Sequence, residues 1–312
     1  MLSTTQKAVE IDENNVRGGP TGVRVRQMDD ADLERILELR SVVSWSADPR
    51  AFDLLRGVRD ARWAVAEDVD GPLVGMVGAV SLGPVGIVCH LAVHDGYRGL
   101  GLGTALSTWA VSYLRSRGAE TVRLYATGRA EGLYRSLGFR ASGARTVYRL
   151  GEAPRGLAAT VEPGGHRVRT LAFADLPELY GVDRWAYGAD RSPLVFATLR
   201  LHPGRGLVAR DDSGLISGYL IRSDGLDAVR LGPFAAANPG VARLLLSRAL
   251  QESVSSSVRV IVPGSEKSSA HALLREFGFE GRKDRLRMEL GGDRPERSSG
   301  LEHYGTTPYL AT

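Results

Sequence analysis

Cysteine is almost missing from this chain of 312 residues: Cys89 is the single one, so no disulfide can close within it. A reducing cytoplasm is the expected setting. Lysine is nearly as scarce, at positions 7, 267 and 283 alone, so the 40 basic residues are almost all arginine, a bias that GC-rich coding accounts for. There is no run of like charge and no basic stripe interleaved with aromatics. With a net charge of only +4, that argues against a nucleic-acid partner. No apolar run approaches the roughly 20 residues of a membrane-spanning helix. The first residues also lack the charged-then-apolar order of a secretory signal. What remains is a globular composition, 43% hydrophobic and 24% charged, and a length that suits one large domain or two ordinary ones.

Glycine, by contrast, is abundant, and its most informative cluster lies in Val93–Leu106, VHDGYRGLGLGTAL. The apolar run Ile87–Val93 before it reads as a buried strand. After it, Leu102, Ala105, Leu106, Trp109, Ala110 and Tyr113 share one face of a helix that Gly118 stops. Glycines at 99, 101 and 103 strip away the side chains that would hold a ligand off the backbone. The freed N–H groups lie at a helix N-terminus, where the dipole favours an anion. These are the features of a diphosphate cradle. Thr104 stands where a dinucleotide fingerprint needs its third glycine, and no lysine is near to complete a nucleoside-triphosphate loop.

Arg98-Gly99-Leu100-Gly101-Leu102-Gly103-Thr104 after a strand ending Leu91-Ala92-Val93 resembles the coenzyme A loop of the GCN5-related N-acetyltransferases, the GNAT family. A second stretch agrees. Ala130, Leu133, Tyr134, Leu137, Gly138 and Phe139 resemble that family's closing helix. The family usually has Asn three places before the Ala; Thr127 stands there, which weakens one expected contact to the pantetheine arm.

Along the chain, 1–22 is polar with little to bury and is expected to be a mobile tail. Val23 and Val25 alternate with Arg24 and Arg26 as a strand. Asp29 or Asp30 caps a helix whose apolar face carries Leu33, Ile36, Leu37 and the stem of Arg40, and Phe52–Leu55 belongs to a second helix. Trp63–Glu67 and Leu73–Leu82 read as paired strands, Thr121–Ala126 as another, and Val147–Leu150 as the last strand of a first domain, 23–150. A linker rich in Gly, Pro and Ala follows at 151–165.

The pattern then restarts. Val25-Arg26…Asp32-Leu33 recurs as Val168-Arg169…Asp175-Leu176, and Ala130…Leu133…Gly138-Phe139 as Ala270…Leu273…Gly278-Phe279. A second copy is therefore expected at 166–291, with a patternless tail at 292–312. Aligned on the Gly-Phe end, Val241 takes the place of Gly101, Arg243 that of Gly103, and Leu274 that of Tyr134. Bulky side chains there block close approach to a diphosphate. The expected fold is α/β: two tandem GNAT-like domains, each a mixed, mainly antiparallel sheet flanked by helices, the first binding acyl-coenzyme A and the second degenerate. Such a tandem resembles known members of the family.

The resemblance also implies roles. Tyr134 stands where the family has the acid that protonates the departing thiolate; a phenol and a thiol have ordinary pKa values close enough for that transfer. Arg98 would supply charge or a donor near the diphosphate. Leu91, Ala92 and Val93 would act through a splayed strand end that pairs with the pantetheine amides. For the base that takes the amine's proton, His90 is the first candidate, then Glu67 and His94; water relay is the alternative. Strict alternation would let only one of Cys89 and His90 face the ligand, and a buried structural role suits Cys89 better than an acyl-carrying one. Asp183, Asp190 and Arg191 either shape an acceptor pocket or serve as caps and surface charges. No metal is expected. The co-substrate implied is acetyl-CoA, the partner a small-molecule amine, with no nucleic acid or membrane, and the protein a monomer or homodimer. The alternatives are a non-catalytic acyl-CoA sensor, a protein or peptide N-acetyltransferase, and decarboxylation of a malonyl thioester.

Overall fold

A computed structural model describes residues 10–12, 15–17, 22–43, 45, 49–69, 71–152, 165–253, 256–264, 268–292 and 302–306. Most of the expected linker, 153–164, lies outside them. Contacts divide the chain into two compact units. The first takes the described residues of 1–124, 130–140 and 289–292; the second takes those of 125–129, 141–288 and 302–306. Both are mixed α/β with a mainly antiparallel sheet flanked by helices, as the sequence pattern predicts.

The first half of the chain runs β1 (Glu10–Asp12), β2 (Asn15–Arg17), β3 (Val23–Gln27), α1 (Leu33–Val42), α2 (Pro49–Arg56), β4 (Ala61–Asp68), β5 (Leu73–Leu82), β6 (Val85–Val93), α3 (Leu102–Ser116), β7 (Thr121–Ala126), α4 (Glu131–Ser136) and β8 (Arg140–Leu150). Strands β1 to β6 follow one another antiparallel, and β6 pairs parallel with β7. Helix α3 lies against one face of the sheet. It approaches so closely that a Cβ on Gly75 would sit 2.9 Å from Leu106 and one on Gly86 the same distance from Leu114. On the other face Phe52 of α2 packs against Trp63 of β4, with ring centroids 4.3 Å apart and planes tilted by 37°. On α1 the buried positions are Ile36, Leu39 and Arg40, so the apolar stripe runs through Leu39 rather than Leu37.

The second half runs β9 (Arg167–Thr170), α5 (Leu176–Tyr187), α6 (Ser192–Leu201), β10 (Gly206–Arg210), β11 (Ile216–Asp224), β12 (Val229–Ala236), α7 (Pro239–Gln251), β13 (Val258–Pro263), α8 (Ser269–Glu276), β14 (Glu280–Gly291) and β15 (Glu302–Gly305). It repeats the first: β9 to β12 antiparallel, then β12 parallel to β13.

Three features differ from the sequence reading. Residues 1–22, expected to be a mobile tail, carry two short strands, because the outer edge of β3 offers unpaired backbone groups that Asn15 and Val16 take up. Val147–Leu150, expected to close the first domain, belongs to β8, which pairs with β13 from Val258↔Leu150 to Pro263↔Arg145. In the first unit, by contrast, the end of β14 supplies Glu289, which holds Arg123 of β7 at 2.6 Å with both side chains buried. The tail at 292–312, in which no pattern was legible, contributes β15, paired with β12.

The internal repeat is also written in charge. In the first unit Arg26 grips Asp32 at 2.6 and 2.7 Å and Glu67 at 2.9 Å, while Arg35 reaches Asp32 at 3.2 Å and Glu67 at 2.7 Å. In the second, Arg169 grips Asp175 at 2.7 and 2.6 Å, and Arg210 joins Asp175 and Glu178, each at 2.8 Å. The counterparts share one constant offset: 26 with 169, 32 with 175, 35 with 178, 67 with 210. The helix cation Arg35 becomes the anion Glu178, and the strand anion Glu67 becomes the cation Arg210. The pair has been reversed and kept, which marks it as a structural fastening.

Candidate active site

The site is built where β6 leaves its neighbours. It pairs with β7 only from Val85↔Thr121 to Ile87↔Arg123, then runs six residues further. On its other side, Gly78 faces Cys89 but Met76 faces Ala92, so His90 and Leu91 together oppose one residue of β5. That is a β-bulge. His90 takes the strain, with φ at +53°, a conformation that costs an L-residue about 1 kcal/mol.

The bulge breaks the alternation after Cys89, at His90 and Leu91. The Arg40 Nη1 atom lies 2.9 Å from His90 Nδ1, and the same cation acts on the Cys89 thiol. Burial nonetheless pushes the Cys89 thiol up to about 12, so at neutral pH it is no nucleophile.

Around His90 stand Trp63, Trp45 and Phe52, with centroids at 5.2, 6.2 and 6.3 Å. The Arg40 guanidinium lies 5.6 Å from the Trp45 ring and 5.9 Å from Phe52. A guanidinium only donates, so Nδ1 accepts and the ring proton sits on Nε2. His90 therefore offers no vacant lone pair to an incoming ammonium. Trp63 borders a cavity of about 590 Å³ that Gln27, Asp29, Asp30, Arg56 and Arg62 also line. The other two base candidates are engaged as well. The hydrogen bonds of Arg26 and then Arg35 hold the Glu67 carboxyl below its ordinary range, and His94 Nδ1 accepts from the Gly96 N–H at 3.2 Å.

Past Val93 the chain makes a short turn, Asp95–Tyr97, that His94 caps, and Tyr97 donates to Asp68. Arg98 folds back, its Nε 3.2 Å from the Val93 carbonyl and Nη2 2.5 Å from Asp95. Gly99 and Gly101 have φ of +78° and +83°, and among the described residues nothing lies within 4 Å of a Cβ placed on either. Their need for glycine is conformational, and the space beside them is open. Leu100 between them is exposed. Gly101 is the N-cap of α3, and among the described residues no side chain caps that helix; its first backbone bond is Ala105 N–H to the Gly101 carbonyl. The N–H groups of Leu102, Gly103 and Thr104 accordingly face the open end. Gly103 has a different duty: a Cβ there would lie 3.4 Å from Leu133 and 4.0 Å from Val93. Its bareness lets α4 close down on the strand end. Tyr134, next to Leu133, is buried against Phe139 at 5.7 Å, edge to face.

The structure therefore gathers Leu91, Ala92, Val93, Arg98 to Thr104 and α4 into one region of the first unit. Thr127 lies in the 125–129 segment, which groups with the second unit. What sequence reasoning missed here is Arg40 with the aromatic ring around it. Its one signal was an arginine on the apolar face of α1.

The second unit treats the same positions differently. Eight residues separate β6 from α3, whereas only Ala237 and Asn238 separate β12 from α7. The α3 N-cap lies 37 residues before Gly138 and the α7 N-cap 40 before Gly278, so alignment from the Gly-Phe end slips by three. The residue at the helix N-cap, where Gly101 stands, is Asn238 and not Val241. The Asn238 side chain accepts from the Val241 N–H at 3.0 Å, and Pro239 has no N–H to offer. Arg243 is tied to Glu276. Arg191, offered as an acceptor-pocket residue, is fully buried and bound to Asp183 at 2.5 and 3.1 Å, under the Tyr187 ring at 4.1 Å. Asp190 caps α6 through the Ser192 N–H at 3.0 Å.

Comparison with known proteins agrees with this geometry. Residues 31–139 match the acetyltransferase (GNAT) family, and residues 180–303 match an acetyltransferase (GNAT) domain. The chain is 26% identical over 222 residues to the uncharacterized N-acetyltransferase YitH of Bacillus subtilis, covering 71% of this chain and 76% of that one. Among solved structures, a candidate acetyltransferase from Pyrococcus horikoshii superposes with a TM-score of 0.76 at 21% identity, covering 95% of this chain and 98% of the other. A tandem GNAT protein from the clavulanic acid biosynthesis pathway superposes with a TM-score of 0.65 at 18% identity, covering 88% of this chain and all of the other.

Proposed function

The chain is a tandem member of the GNAT acetyltransferase family, an N-acetyltransferase by that membership, and from this premise we propose that its first unit alone binds acetyl-CoA and acetylates the amine of a small molecule. Enzymes of this family use acetyl-CoA as co-substrate. The observation that carries the reading is the contrast between two helix ends. The N-terminus of α3 is uncapped and approached through two left-handed glycines with open space beside them; that of α7 is closed by Asn238 and Pro239. An anion meets three N–H groups at the first, whereas at the second Pro239 has none to give and the Val241 N–H is already taken by Asn238.

The residues fit the co-substrate along its length. The N–H groups at the start of α3, with Arg98 released from Asp95, take the diphosphate. The edge of β6 beyond Ile87, at Leu91 to Val93, presents main-chain groups for the amides of the pantetheine arm. Acetyl-CoA supplies an activated acyl thioester; this chain supplies position and proton transfer. As the acceptor nitrogen bonds to the acyl carbon and the C–S bond breaks, the Tyr134 hydroxyl gives its proton to the leaving sulfur. The amine's own proton leaves through water, because His90 Nδ1, His94 Nδ1 and Glu67 are each committed to another donor. Water then returns a proton to Tyr134, and the charges balance. The ring of Trp45, Phe52, Trp63 and Arg40 beside the bulge forms the wall that the acceptor meets.

A thiol-release assay with acetyl-CoA over a panel of small amines tests this. Release is expected with at least one amine, and its loss in Gly101→Val. Equal release by both proteins would place the site elsewhere; tight cofactor binding with no release for any amine would make the protein a sensor.

A further inference from the structure

We propose that the slot in the second unit which corresponds to the acyl-CoA arm site is filled by the chain's own residues Glu302–Thr306, which add as a strand where the arm would lie. The proposal takes the position of that arm from the reading above, but it stands on contacts within the second unit. There β12 and β13 pair parallel only from Val229↔Val258 to Leu231↔Val260. They then part, as β6 and β7 part after Ile87↔Arg123. A register shift in β12 between Leu231 and Phe234 puts its bulge at Gly232 and Pro233, the counterpart of His90 and Leu91.

Into that opening comes β15. It pairs antiparallel with β12 at Phe234↔Gly305, Ala235↔His303 and Ala236↔Glu302. On the far side the Thr306 N–H donates to the Ile261 carbonyl of β13 at 2.9 Å. One short segment therefore bonds to both parted strands, satisfying backbone groups that would otherwise be left bare. The fit is close. A Cβ on Gly232 would lie 2.1 Å from the Thr306 carbonyl oxygen, and one on Gly305 3.1 Å from that of Leu231. Tyr304 is fully buried, its ring 5.1 Å from Phe234 and its hydroxyl 3.1 Å from Ser269 Oγ at the start of α8. Helix α8 is the counterpart of α4, so the segment reaches the element that would close over an arm. Among the described residues of the first unit, β6 has no such added strand. The second slot has thus become a receptor for an extended peptide, occupied in cis, and the chain holds one acyl-CoA.

Hydrogen exchange on the full-length protein and on a chain ending at Leu301 tests this, together with equilibrium dialysis of acetyl-CoA. Truncation is expected to speed exchange at Phe234–Ala236 at least tenfold and to leave the 85–93 segment unchanged. A synthetic peptide of residues 300–308 should restore the protection in trans. Tyr304→Ala, which keeps the backbone, should give a partial increase at the same amides and serves if the shorter chain fails to fold. Unchanged protection in both variants would overturn the proposal. So would two equivalents of acetyl-CoA bound per full-length chain. The exchange arm uses no cofactor, so it stands or falls apart from whether the first unit binds one.

Discussion

Gly101→Ala and Gly118→Ala form a matched pair at the two ends of α3. The wild-type φ values are +83° and +84°, and neither Cβ would meet any described residue within 4 Å. Forcing an L-residue into that conformation costs roughly 1 kcal/mol at either position. Each variant should therefore melt about 2–4 °C lower than the parent. Binding separates them. On the proposed reading, the new methyl group at position 101 would stand where the diphosphate approaches the N–H groups of Leu102 to Thr104. Losing one charge-assisted hydrogen bond costs about 1.5–3 kcal/mol. That converts to roughly a 10- to 100-fold weaker Kd for acetyl-CoA by isothermal titration. Gly118 lies a whole helix away, so its variant should bind as the parent does. If both variants melt alike and bind alike, the loop does not hold the diphosphate.

Other consequences follow from the same geometry. Tyr134→Phe should lower kcat roughly 10²-fold while leaving the KM for acetyl-CoA within about twofold, because only the proton donor is lost. Glu67→Arg should destabilise the first unit by clustering three arginines, and Arg35→Glu with Glu67→Arg should recover most of the loss by reproducing the arrangement of Glu178 and Arg210, as read by urea unfolding. Because Asp32 and Glu67 have depressed pKa values in the folded state, the stability they confer is present above about pH 4 and is lost as pH falls below it, so the Glu67→Gln variant should show a shallower acid limb. Cys89 should resist an alkylating reagent at pH 8 in the folded protein and react within minutes once unfolded; equal rates would contradict its burial.

The glycine loop was legible because its requirement is local: positive φ at Gly99 and Gly101 and an uncapped helix start are written in adjacent residues. The repeat was legible at its ends for the same reason. The bulge at His90 was not, since it arises from how β6 registers against β5, and no property of Cys89-His90-Leu91 announces it. The counterpart of Gly101 was hidden because three extra residues lie between the α7 N-cap and Gly278, and alignment from the Gly-Phe end carries that insertion to every position before it. Tyr304 stands alone as an apolar residue in its strand, so no periodicity betrays β15; what stabilises it is the bare edge of β12, far away in sequence. Arg40 was readable only as a stem, because its partners Trp45, Phe52 and His90 come from three other segments. Glu67 was offered as a base because a single carboxylate on a strand looks available until Arg26 and Arg35 are brought to it.

The most direct measurement is a crystal structure of the protein with acetyl-CoA bound. Diphosphate density against the N–H groups of Leu102 to Thr104, with the arm running along β6 toward His90 and Leu91, is the expected result. Density along β12 in place of Glu302–Thr306, or an arm that leaves Gly101 untouched, would contradict the account.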